Sequence, residues 1–122
     1  MIRGIRGAIT VKENDANEMV ANTKILLDEI IKRNNIVPEN VAQVLISVTD
    51  DLDAVFPAQA LRLLDGWTYV PVTCMREIPV VNSLEKCIRI MMTVETDIPQ
   101  DQIEHIYLEG AVVLRPDLSI NN

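Results

Sequence analysis

Between Asp15 and Arg33 the chain carries one long stretch of helical periodicity, and the segments on either side of it read as strands. Met19, Thr23, Leu26 and Ile30, with Val20, Leu27 and Ile31 beside them, form one stripe, as in a helix that buries a single side. Asp15 followed three positions later by Glu18 is a capping-box signature, and Lys32 and Arg33 suit the negative end of the helix dipole. A lone helix of about 18 residues among strands restricts the fold to a sheet with a helix laid on it.

The strands are read from composition and alternation. Residues 2–11 mix Ile2, Ile5, Ile9 and Val11 with Gly4 and Gly7, a first strand whose glycines admit close approach. Val41–Val48 is apolar enough for a buried strand, and Asp50, Asp51 and Asp53 mark the loop after it. Pro57 opens a second, short helix through Leu64 that Gly66 can end. Further strands are expected around Tyr69–Glu77, over Cys87–Glu95 and over Ile106–Leu114, before a polar tail in which 116–122 are candidates for fraying or ligand-dependent ordering.

This order, β-α-β-α-β-β-β, predicts an α/β (α+β) fold: a mixed five-stranded sheet with one long and one short helix, in a single domain over residues 1–122. Ile88, Ile90, Met92 and Val94 make a wholly apolar strand face. One helix covers only part of such a sheet, so association of copies is expected to bury the remainder.

Charge and residue counts narrow the chemistry. A net charge of −7 with one Trp, two Tyr and one Phe opposes binding to nucleic acid, which needs a basic stripe and stacking platforms. The same charge opposes an anionic membrane, and no apolar run approaches the roughly 20 residues of a spanning helix. The apolar stretch Ala8–Val11 is too short for a signal peptide, and Cys74 and Cys87 read as free thiols, so a cytoplasmic location is expected. One histidine and two cysteines give no metal-ligand spacing, and neither GxGxxG nor GxxxxGK[ST] occurs, so neither a metal nor a nucleotide cofactor is expected. His105 reads as a surface or structural residue.

Arginines remain: Arg6, Arg89 and Arg115 stand in otherwise apolar, strand-like segments. A guanidinium keeps its charge at any working pH and forks onto carboxylates, so several converging in a dry site would suit a small di-acid. Taken singly, such an arginine is more often a solvated strand-face residue or a partner for one of the 18 carboxylates. Alternation puts Arg89 on the less apolar face of its strand with Cys87, Met91 and Thr93, where its charge must find an anion. Cys74 alone reads as structural and Glu77 alone as a surface residue; periodicity names no substrate.

The strings MIRGIRGAITV, AVFPAQALR, GWTYVPVTCMREI, KCIRIMMTVETDIPQDQI and HIYLEGAVVLRPDLS resemble the monofunctional, trimeric α/β class of chorismate mutases, from residue 1 to about 119. The resemblance implies a homotrimeric pseudo-α/β-barrel with active sites at subunit interfaces, and the Claisen [3,3] rearrangement of chorismate to prephenate without a cofactor. By motif it makes Arg89 the cation beside the ether oxygen, while Arg6 and Tyr107 bind a substrate carboxylate. Glu77 and the backbone of Cys74 would hold the ring hydroxyl. Phe56, Ala58 and Arg62 would come from the neighbouring subunit, with Val72, Thr73 and Leu114 lining the pocket and Arg115 helping to close it. Gln59 stands where relatives can carry lysine, which removes a positive charge at the mouth. Rival expectations are a non-catalytic trimer that captures a small carboxylate and a Rid-like trimeric hydrolase.

Overall fold

A computed structural model describes residues 1–115; the tail 116–122, expected above to fray or to order with ligand, lies outside them. Five strands and one long helix follow in the order β1 (Ile2–Thr10), α1 (Ala16–Asn34), β2 (Val41–Val48), β3 (Val72–Arg76), β4 (Cys87–Glu95) and β5 (Ile106–Leu108). They make one mixed sheet in the order β3-β2-β4-β1-β5. Central β4 runs antiparallel to β1 and β2, while the outer pairs β2–β3 and β1–β5 are parallel.

The helix forms where its periodicity and caps predict it. Asp15 caps α1 by accepting from Glu18 N, and Asn35 ends it in the left-handed conformation at φ 52°. Glu18 does not complete a reciprocal box; its carboxylate accepts from Lys12 N (2.7 Å) and Glu13 N (3.1 Å), which ties the helix start to the end of β1. Met19, Thr23, Leu26, Leu27 and Ile30 are buried against the sheet. Gly7 is the point of closest approach: a Cβ there would stand 2.7 Å from Ile30 Cδ1 and 3.1 Å from Leu26 Cδ1.

Three expectations are corrected. The segment from Pro57 is helical but as a 3-10 turn over Pro57–Leu63. The third strand starts at Val72, because Tyr69 is in open solvent and Val70 N is turned back onto Trp67 O. The last strand stops at Leu108. There Glu109 takes φ 53° and Gly110 N donates to Thr10 Oγ1 (2.9 Å), which curls the chain into a 3-10 turn over Glu109–Val113.

The two faces of the sheet differ in kind. Ile5, Ile9, Val44, Ile46, Ile88, Ile90, Met92 and Val94 join the α1 residues in one buried core. The apolar face of β4 is thus in the part of the sheet that the chain's own helix and turns cover. The opposite face is the one left open: Met75 and Met91 are exposed there, and Arg6, Leu45, Ser47 and Arg89 share it by the strict alternation of paired strands. Among the described residues, a small second cluster of Ala8, Cys87, Tyr107 and Ala111 forms at its β1–β5 end.

Candidate active site

The open face carries a cleft of about 410 Å³ lined by Arg6, Ser47, Met75, Arg89, Tyr107, Leu114 and Arg115, among others. Register explains the convergence. Arg6 pairs with Met91 across β1–β4, Ser47 pairs with Arg89 across β2–β4, and Tyr107 pairs with Ala8 across β1–β5, so all the side chains emerge on one side.

Arg89 is held by one carboxylate. Its Nε stands 3.0 Å from Glu77 Oε1, with the arginine side chain 44% exposed and that of Glu77 only 17% exposed. The guanidinium is thus held at its inner nitrogen, and Arg89 lines the cleft. Glu77 is rooted by its own N–H, which donates to Val48 O (2.8 Å) one residue past the end of β3. Ser47 Oγ donates to the same Oε1 at 2.6 Å.

Cys74 supports the fold with its side chain and turns its backbone groups to the free edge of β3. Its side chain packs against the core on the helix face. Pro71 O accepts from Val44 N and Glu77 N donates to Val48 O, so in this parallel pair the odd-numbered residues address β2 and the backbone groups of Cys74 point off the free edge. Thr73 lies on the open face opposite Leu45, outside the cleft.

The remaining residues named from the sequence lie elsewhere. Phe56, Ala58, Gln59, Arg62, Val72 and Cys74 line a second hollow of about 610 Å³, floored by buried Trp67. The loop that leads into Phe56 is held by Asn14, whose amide oxygen accepts from Asp53 N (3.0 Å) and Ala54 N (3.1 Å) and whose amide nitrogen donates to Asp53 Oδ1 (2.7 Å). Phe56 projects from the rim of the hollow and is 72% exposed, far more than an unpartnered phenyl ring prefers. Within one chain, then, Arg6, Arg89, Tyr107, Leu114 and Arg115 come together with Glu77. Phe56, Ala58, Gln59 and Arg62 form a separate group.

Two side chains stand beside the site without a site role expected from the sequence, Ser47 unnamed there and His105 read as a surface or structural residue. Ser47 is one; its only signal is a hydroxyl inside the otherwise apolar run from Val44 to Val48. The other is His105, whose Nδ1 accepts from Arg6 N (2.9 Å) and so holds the backbone under the Arg6 side chain. Burial, with the positive charges of Arg6 and Arg115 adding to it, pushes the imidazole below its ordinary pKa.

That shift has a sign that can be tested. With the folded-state value depressed, the unfolded chain takes up the proton first as the pH falls. The stability His105 contributes is complete above 6.5 and is lost as the pH drops through the folded-state value. Protonated Nδ1 would also face the Arg6 N–H as a second donor. His105→Asn keeps an acceptor and cannot charge, so its urea midpoint is expected to decline less than that of the parent between about pH 6.5 and 5. Parallel declines in the two proteins would show that the imidazole is not the responsible group.

Cys87, beneath Arg89 on the same strand face, is buried and its thiol is pushed up to about 11 by that burial, against the opposing pull of Arg89. It stays protonated and is no nucleophile. The cleft is therefore lined by three arginines and a tyrosine, one of the arginines paired with Glu77 beside it, an arrangement for gripping an anionic ligand.

A family model described as chorismate mutase type I matches residues 2–118 of the chain. The chain is 62% identical over 120 residues to chorismate mutase AroH of Bacillus subtilis (strain 168), a match covering 98% of this chain and 94% of that protein. It is 45% identical over 119 residues to chorismate mutase AroH of Thermus thermophilus, covering 97% of each. A solved structure of a chorismate mutase from Clostridium thermocellum superposes with a TM-score of 0.87 at 49% identity, covering 90% of this chain and 97% of that one.

Proposed function

The chain belongs to the type I chorismate mutase family and isomerises chorismate to prephenate, and from that premise we propose that the reaction runs in a cleft shared between neighbouring copies of a homotrimer, with Arg89 as its central cation. The reaction breaks the C–O bond of an enol ether and forms a C–C bond within one molecule, so no proton, electron or group is exchanged with the protein. What the protein must supply is conformation and charge. Chorismate has to be held in its compact form with both carboxylates bound, and the ether oxygen gains negative charge as its bond parts.

The cation beside that oxygen is Arg89, kept in place by Glu77. Arg6 and the Tyr107 hydroxyl bind one carboxylate from the same cleft, and Arg115 closes over it. Glu77 and the outward backbone of Cys74 receive the ring hydroxyl, with Glu77 acting as an acceptor and not as a proton shuttle. Phe56, Ala58 and Arg62 of the next copy, with Val72, Thr73 and Leu114, form the rest of the wall. Gln59 leaves the mouth less positive, so capture of the dianion falls more on Arg62 and Arg115. The enzyme acts as one folded unit in the cytoplasm.

The observation that carries this reading is the division of the named residues between two hollows of one chain, the first rich in fixed cations and the second rimmed by an uncovered phenyl ring. A ligand in either hollow meets half of the set. Stacking the 56–62 segment of one copy over the open sheet face of the next would unite them and cover Phe56.

Complementation tests it. Arg89→Gln and a Phe56→Ala/Arg62→Ala double variant are each assayed at low chorismate, then unfolded together in equal amounts and refolded. A cleft shared between copies restores about a quarter of the sites, each made of an intact Arg89 from one chain and an intact 56–62 segment from its neighbour. No recovery in confirmed mixed trimers would place each site within a single chain.

A further inference from the structure

Ser47 is a residue with no part in the scheme above, and its surroundings give it one. It stands directly across β2–β4 from Arg89 and lines the same cleft. Its hydroxyl donates to Glu77 Oε1 at 2.6 Å, a short bond to an ionised acceptor. That same oxygen is the one in contact with Arg89 Nε, at 3.0 Å. One carboxylate oxygen is therefore shared between a strand hydroxyl and the guanidinium.

We infer that Ser47 is a positioning residue for the rearrangement, acting through Glu77 to fix the orientation of the Arg89 guanidinium; the inference rests on the assignment of Arg89 as the cation at the ether oxygen. Glu77 follows the last residue of an edge strand, and its backbone makes one bond inward, to Val48 O. Its side chain could still rotate about its own bonds, and the arginine would follow it. The Ser47 hydroxyl removes that freedom because it comes from a strand inside the sheet, where the backbone is paired on both sides. An arginine swinging with a loose carboxylate would still bind an anion. It would no longer hold its positive charge at the one place where the transition state, and not the substrate, needs it.

The role separates kcat from KM. Ser47→Ala is expected to lower kcat about ten- to a hundredfold, the range for losing a hydrogen bond to a charged group, with KM changed far less. Ser47→Thr, which keeps the hydroxyl, recovers most of the loss. Because Ser47 acts through Glu77, Ser47→Ala on a Glu77→Gln background costs little more than Glu77→Gln alone.

Arg89→Gln is measured beside them. If Arg89→Gln loses turnover while Ser47→Ala keeps it, or if the Ser47 and Glu77 effects multiply, the positioning role is overturned and the assignment of Arg89 survives. If Arg89→Gln turns over normally, both fall. Circular dichroism of each variant, with Ser47→Thr as the folded control, keeps a loss of structure from imitating the effect.

Discussion

Arg89→Gln is expected to lower kcat by about 10²–10³, which corresponds to about 2.7–4 kcal/mol of barrier, the typical cost of removing one preorganised charge-stabilising donor. The size follows from when the interaction is made. Chorismate carries little charge on its ether oxygen in the ground state, so a cation aimed there contributes mainly as the C–O bond stretches, and its loss falls on kcat.

Arg89→Lys is expected to recover only part of the loss. An ammonium keeps the charge but is a single point on a flexible stem, and it has no inner nitrogen by which a carboxylate could hold it as Glu77 holds Arg89. Steady-state assays following the disappearance of chorismate absorbance read both variants. Turnover of Arg89→Gln within about threefold of the parent would remove Arg89 from the mechanism, since that is far below the typical cost of losing such a donor.

The second large effect lies on the other face of the sheet. Ile30 is fully buried, and its Cδ1 fills the space that Gly7 leaves by having no side chain. Ile30→Ala opens a cavity between α1 and β1, at a cost of about 2–5 kcal/mol of folding stability. The loss appears as a lower urea midpoint with an unchanged slope, measured at one protein concentration. At temperatures where the variant stays folded, kcat is expected to remain near the parent value, because the Arg6, Arg89 and Tyr107 side chains stand on the opposite face of the sheet from that helix. A large fall in kcat in the folded variant would show that the helix and the cleft are coupled through the sheet.

The two variants express a division of labour that follows from the alternation of β-strands. Ile88, Ile90, Met92 and Val94 point one way into the helix-covered core, and Arg89 and Met91 point the other way. One strand thus packs the core with its even-numbered residues and presents Arg89 and Met91 to the cleft on the other side.

Much of this was legible in the amino-acid order. The stripe from Met19 to Ile30 and the Asp15 cap gave α1 to within a residue or two, and the apolar runs gave β2 and β4 with their observed limits, Val41–Val48 and Cys87–Glu95. Alternation alone set Arg89 apart from its apolar neighbours. These features are local: a helix or strand period is written in residues a few positions apart, and so is the resemblance of whole strings to a family.

The rest was decided by contacts between distant segments. The last strand ends at Leu108 because Thr10, about a hundred positions earlier, accepts the Gly110 N–H. Glu77 reads as a surface residue until β2 and β4 bring Ser47 and Arg89 to the same carboxylate oxygen. Which face of the sheet remained open was equally invisible, since periodicity leaves open which part of the sheet one helix covers, and in the fold that part includes the apolar side of β4. Sequence fixes what each segment prefers on its own, whereas strand order and register determine which side chains meet, and a charge acquires its role only from the groups that come to face it.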